Sequence, residues 1–419
     1  MSVDSTTMNE LLKEVWADGV PKDACYKNHP FMGLVKKSTD RLVGEYFVLP
    51  IKYGNIQAVS PNIANSIARA AAAQASFKQF QIPRTVVYNT ALIDGVTAAI
   101  SKGNKAAAMD AIEIAMESTP EAQSDAIASM LFRSGFGKIA TIGTGTNLAT
   151  KVITLSAPED ARHFENGMRL VFGATETTGT LRDSADFLTV VAVDPDAGTV
   201  LTDAPTDLAT SITGIALGDS IFPQDWRQNA ASPIRQVAFG AEAWVPPTAP
   251  TSTTFCGVDR SVSPARLGGM RIDNTTENRP LDEFLRRMCA RASRNSKKID
   301  HIFLNPERWQ DLADLRDGFR NCVLKPADAQ DIGFDALEMS SLVGNVKIVP
   351  DPDCPSDRAV GVKLDTWELM SVGDLVHVID DDGKWANRSA TADALEVRFR
   401  SIFNLGCMDP SSNIYGKLA

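Results

Sequence analysis

Apolar residues Met8, Leu11, Leu12, Val15 and Trp16 recur at helical spacing behind Thr7, and Gly19 and Pro21 end the run, so the first predicted element is a short helix. A helix of about three turns is marginal by itself and has to dock on the body of the chain or on a neighbour. Residues 42–59, LVGEYFVLPIKYGNIQAV, are rich in aromatic and branched side chains and predict a strand. Ser60 and Pro61 are suitable N-cap and N1 residues for an alanine-rich helix, and alternation resumes through Phe77, Phe80, Ile82 and Val86. Two extended arms around a polar tip read as a long hairpin-like projection with little apolar content for a core.

From Thr90 to about Arg133 the pattern predicts helix, with Ile112, Met116, Ile127, Met130 and Leu131 on apolar faces and Pro120 at a kink or junction. Between about 150 and 236 the helical pattern stops. Short strands are predicted at KVITL, MRLVFG, FLTVVAV, GTVLTD and SITGIAL, with a turn at Asp194-Pro195-Asp196-Ala197-Gly198, which fits a small antiparallel barrel or sandwich inserted into the chain. Beyond Phe239 mixed structure returns. PLDEFLRRMCARAS predicts a helix, IDHIFL a buried strand, and NPERWQDLADLRD a helix with Asn305 as N-cap and Pro306 at N1. The fold class expected is α+β with an all-β insertion.

Composition changes this picture little. The 419 residues, 44% hydrophobic, suggest two or three compact units. With 42 Lys and Arg against 52 Asp and Glu the net charge is −10, which argues against a protein held on nucleic acid by a strongly basic surface. The N-terminal stretch has acidic residues and no apolar core, so no signal peptide is expected, and no run approaches the ~18 apolar residues of a membrane span. A soluble product of a reducing cytosol is the expectation.

Candidate chemistry is sparse. Cys25, Cys256, Cys289, Cys322, Cys354 and Cys407 form no close pair, and His29, His163, His301 and His377 are equally scattered, so no zinc site is predicted and the thiols read as small buried residues. Gly143-Thr144-Gly145 lacks the lysine and hydroxyl of a phosphate loop and reads as a flexible lead into the insertion. Asp380-Asp381-Asp382-Gly383 lacks the further ligands of a calcium loop and reads as a solvated turn, as does the Asp351–Asp353 stretch. No nucleophile elbow is present. Arg266 with Arg271, and Arg286 with Arg287, read as solvated faces or partners in subunit salt bridges. No catalytic residue, cofactor or metal site is predicted.

Taken in order, several segments resemble the major capsid proteins of tailed bacteriophages with the Hong Kong 97 fold. EYFVLPIKYG and FKQFQIPR resemble the two sides of that family's extended loop, and LFRSGFGKIATI the end of its central helices. FCGVDRSVSPARLGG, DHIFLNPERWQDL and KIVPDPDCP resemble successive core segments, and ADALEVRFRSIFNLGCMDPSSN the closing strand with its Pro-x-x-Asn tail. The resemblance implies an N-terminal arm (1–44), an extended β loop (45–85), a peripheral domain with a long helix (86–145), the β-rich insertion (146–236), and an axial domain with the remaining peripheral strands (237–419). It implies copies assembled as hexamers and pentamers of an icosahedral shell around double-stranded DNA, in a virion built in the host cytoplasm. Portal, scaffolding and decoration proteins, with non-specific contact to packaged DNA, are the implied partners; no membrane is involved. Some relatives crosslink through Lys and Asn; Lys52 and Lys78 lie in the loop, but no acceptor is identifiable. An encapsulin-like compartment is the alternative shell, and a hydrolase hidden in the insertion ranks behind both.

Overall fold

In the computed structural model of the chain, the described residues are 2–3, 29–39, 42–72, 76–96, 111–176, 181–183, 186–226, 236–251, 254–294, 297–315, 322–325, 336–341, 344–379, 386–388 and 393–418. The helix expected behind Thr7 and the Asp380–Gly383 turn lie outside them.

Two large sheets organise these residues. In the first, the strand Thr85–Asp94 pairs antiparallel with Ala394–Cys407, which pairs in turn with Trp367–Ser371; Lys36–Ser38 adds in parallel at that edge. The second runs in the order Met270–Asp273, Ile414–Lys417, Arg358–Val362, His301–Leu304, Gly344–Pro350, Ala336–Ser341, Cys322–Lys325. Alternation decides the first pairing: Ala91 and Ile93 are buried while Leu92 faces out, as a half-buried strand requires. The helix expected from Thr90 therefore does not start there: helical backbone first appears at Gly95 and Val96, and the long described helix spans Ala111–Leu131. Ala and Leu favour helix intrinsically, but ten residue pairings with a partner strand override that weak preference.

Pro120 does not end this helix, which carries it in the interior. The helix is tied to the first sheet instead. The Asn89 amide donates to the Thr119 carbonyl, and Gln123 donates to the Val87 carbonyl and to Ser401 Oγ. Helices Leu281–Ser293 and Pro306–Asp314 pack through Phe284, Leu285, Met288, Cys289 and Leu312 on the second sheet, as their periodicity predicts. The Asn305 side chain accepts from Glu307 N, so its expected capping role holds.

Residues 140–223 form a separate antiparallel sheet of six strands, in the order Ala140–Thr141, Ser220–Pro223, Arg169–Gly173, Leu188–Asp194, Thr199–Thr202, Val152–Thr154. Its first and last strands meet through the bridge Ile142↔Leu155 and the bond from Ser156 N to Thr141 O, so the sheet closes on itself and leaves no free edge. Ile153, Leu170, Phe172, Leu188, Val200 and Ile221 fill an interior distinct from the main core. One strand was misread: in SITGIAL the buried residues Ile212 and Ile215 are one helical turn apart, and the stretch follows a short helix, Leu208–Ser211, capped by Asp207. The sixth strand is Ser220–Pro223.

Candidate assembly interface and its buried anchor

The projecting loop is built by Tyr46–Gly54 and Ser76–Pro83, paired antiparallel in the register Phe47↔Ile82, Leu49↔Phe80 and Ile51↔Lys78, with a bulge between Lys52 and Gly54. The root is not short of apolar contacts, contrary to expectation. Phe47, Leu49, Phe80 and Ile82 are essentially fully buried in the main core, where Phe80 meets Trp244 edge-on at 5.1 Å. Beyond Tyr53 and Lys78 the support from the core ends. The tip carries helix Ile63–Ala72, started two residues later than expected: Asn62 is the cap, accepting from Ala64 N, while Ser60 Oγ accepts from Asn62 N. Ile56, Val59, Ile63, Ile67 and Phe77 are exposed there, Val59 to 84%.

Beside the main core lies a buried ionic cluster that sequence reading missed. His29 is 8% exposed, and its Nδ1 lies 2.6 Å from Asp353 Oδ2 and its Nε2 2.6 Å from Asp125 Oδ1. Asp351 accepts from Phe31 N through Oδ2 and from Asp353 N through Oδ1. Arg162, from the short helix Pro158–His163 of the barrel, approaches Asp353 at 3.7 Å. The cluster thus joins the 29–34 segment, the central helix, the barrel and the turn after strand Gly344–Pro350. Asp351 and Asp353, expected in a solvated turn, are instead 0% and 3% exposed. The turn is real, but Phe31 covers it and packs on Phe132 and Phe303.

Burial opposes charge on His29, yet hydrogen bonds to Asp125 and Asp353 outweigh it and raise its pKa to about 9. Burial, then repulsion from Asp353, lifts Asp351 to about 7. Burial would lift Asp353 too, but the His29 hydrogen bond holds it below the usual carboxylate range. Below about pH 6.5 His29 is charged in both folded and unfolded chains and its stabilisation is complete; toward pH 9 the unfolded chain sheds the proton first and the benefit fades, by about 3 kcal/mol in all. Asp351 acts in the same direction between about pH 4 and 7. Thermal melts are therefore expected to fall from pH 6.5 to 9.5, and His29→Gln to flatten that part of the profile. Parallel profiles for the two proteins would contradict the assignment.

The other candidates separate cleanly. His163 is held neutral, its pKa lowered to about 3 by burial and then by Arg133. His301 opens its strand, stacked near Phe303, and His377 lies in a short strand beside Arg400. Cys289, Cys354 and Cys407 are buried thiols, whereas Cys256 is only half-buried in a turn at φ 49°. Gly143 sits in a hydrogen-bonded turn, donating to Thr154 O, with no helix behind it to receive a phosphate. Arg266 donates to Tyr53 O and Arg271 to the carbonyls of Pro246, Gly268 and Gly269; Arg286 and Arg287 pair with Asp282 and Glu283 on their own helix. Among the described residues no group of acidic, His and Cys side chains is arranged to hold a metal, and no helix is long and apolar enough to cross a membrane.

No protein-family model matches the sequence, and a comparison with curated proteins finds no match. Solved structures do match. The cyanophage A-1(L) capsid asymmetric unit aligns over 98% of this chain and 99% of its own, at 11% identity and a TM-score of 0.55. An encapsulin complex from Synechococcus elongatus aligns over 95% and 90% at 8% identity and 0.47, and Mycobacterium phage Ogopogo over 96% and 95% at 9% and 0.42. The chain has the α+β fold of tailed-phage major capsid proteins, the Hong Kong 97 type that its segment order resembles.

Proposed function

We propose that this fold is used here as in a phage: the chain is a major capsid protein, whose copies assemble as hexamers and pentamers of an icosahedral shell around double-stranded DNA. The extended loop carries the reading. Its root is locked into the main core while Ile56, Val59, Ile63, Ile67 and Phe77 at its tip stand in solvent. Among the described residues nothing covers these side chains, and burying each large aliphatic one against a neighbour is worth about 1.5–3 kcal/mol. A contact between a loop on one copy and a different face of the next is heterologous, and closes into rings and shells. On this reading the protein is structural and performs no turnover, and it resides in the virion. The arm is 1–44, the loop 45–85, the peripheral domain begins at 86 and the axial part at 237, and the insertion, expected at 146–236, includes the barrel strands from Ala140 onward. Portal, scaffolding and decoration proteins complete the particle.

Electron microscopy of the expressed protein, with any scaffold supplied, is expected to show capsomers or shells. The double variant Ile63→Asp, Ile67→Asp should melt as the wild type does, because both residues are solvent-exposed, yet form no particles. A wild-type chain that stays monomeric, or a variant that assembles undiminished, would sink the proposal. Particles holding a cargo protein in place of nucleic acid would reassign the shell to an encapsulin-like compartment.

A further inference from the structure

The chain's charge is distributed very unevenly. Residues 46–84, the two strands and the tip of the loop inside Glu45, contain no Asp or Glu and four cations, Lys52, Arg69, Lys78 and Arg84. Residues 140–223, the barrel, contain eleven Asp or Glu against four Lys or Arg. The barrel alone therefore holds most of the chain's excess of ten negative charges.

The barrel also carries an apolar stripe on its outer surface. Leu201 lies directly opposite Ala192 on one neighbouring strand and Val152 on the other, and all three are exposed. Strand alternation puts Asp194, Thr199 and Asp203 on that same face, while Ile153, Val193 and Val200 point inward. A bulge at Val191 adds a further half-exposed side chain beside the stripe. The face is thus an apolar strip rimmed by carboxylates. The loop tip shows the converse: Ile63 and Ile67, four residues apart on one helix face, with Val59 beside them and the Arg69 guanidinium anchored through Nη1 on Val59 O.

We propose that the loop-tip helix of one copy docks on this outer barrel face of a second copy, Ile63 and Ile67 against Val152, Ala192 and Leu201, with Arg69 toward Asp194 and Asp203. The inference rests on the shell reading and names the surface the loop meets. Charge complementarity selects a second copy of this chain: acidic copies repel one another unless basic and acidic faces are paired, and residues 46–84 carry only cations while the barrel is acidic. The same arrangement turns an acidic barrel away from packaged phosphate, which it would repel.

Cysteines placed at Ile67→Cys and Leu201→Cys in one chain test the contact in assembled particles. After mild oxidation, non-reducing electrophoresis should show linked chains for the double variant and single chains for each single variant, which controls for Cys256. In parallel, Leu201→Lys should raise the concentration needed for assembly about tenfold, and adding Arg69→Glu should bring it back toward the wild type. Wild-type particles without linkage in the double variant, or Leu201→Lys particles forming at the wild-type concentration, overturn the pairing and leave the shell intact. Loss of bound nucleic acid from Arg69→Glu particles, without linkage in the cysteine pair, gives the loop to the polyanion and overturns it equally. A wild-type chain that never assembles overturns both readings.

Discussion

Replacing His29 by alanine is expected to destabilise the folded chain by about 3–5 kcal/mol, more than truncating an exposed residue of similar size. The reason is what the substitution leaves behind. Asp353 is buried, and both His29 nitrogens are engaged by carboxylates 2.6 Å away. Without the imidazolium, Asp353 is left with the more distant Arg162 as its ion-pair partner among the described residues, and Asp351 beside it remains buried under Phe31. An uncompensated buried carboxylate either stays charged at a cost of several kcal/mol or takes up a proton. The deficit should therefore be largest near neutral pH and shrink in acid, where protonation relieves the carboxylates. Chemical denaturation of both proteins at pH 7 and pH 4.5 checks this; a deficit under about 1 kcal/mol at pH 7, the range of an exposed pair, would remove the cluster from any anchoring role.

Asn413→Ala is expected to cost about 2–4 kcal/mol, because one buried amide serves five neighbours. Its Oδ1 accepts from Lys363 N and from Trp367 Nε1, at 2.8 and 2.9 Å. Its Nδ2 reaches the Asp409 carbonyl, Thr366 Oγ1 and Cys407 Sγ. Asn413 is 1% exposed, so water cannot replace these partners readily. Trp367, itself fully buried in the main core, would keep its ring contacts and lose the acceptor of its indole N–H. Asn413→Asp should be no milder, since it retains the acceptor but buries a charge in place of the amide donor. Equilibrium unfolding of the two variants decides this; wild-type stability for Asn413→Ala would show that the bonds are replaceable.

Much of the architecture was legible because it is local. The cap at Asn305, the periodicity of Leu281–Ser293 and the alternation in the loop strands are each set by neighbours a few residues away. Asn413 was visible as the last residue of the Pro-x-x-Asn tail, though not what it binds. Alternation foretold the start of the strand at Thr85–Asp94, but its continuation from Thr90 was hidden because its partner lies some 300 residues downstream, and helix-favouring residues dominate the local pattern. The ionic cluster was hidden for a related reason. His29, Asp125, Asp351 and Asp353 share no spacing, and Asp-Pro-Asp scored correctly as a turn while its burial depended on a distant segment folding over it. The charge polarity of loop and barrel, by contrast, could have been counted from sequence, but only once the boundaries of both were known.

The pairing of Thr85–Asp94 with Ala394–Phe403 also sets an order of events in time. Each large sheet has an interior strand taken from 394–418, so neither can be completed until that stretch has left the ribosome. The barrel at 140–223 closes from contiguous sequence and can form during synthesis, ahead of everything around it. Long-range pairings of this kind close slowly. Until they do, the loop root has no core to lock into, and a half-made chain presents no rigid tip to its neighbours. On the proposed shell reading the topology thus works as a clock, delaying association until residues 394–418 have been made.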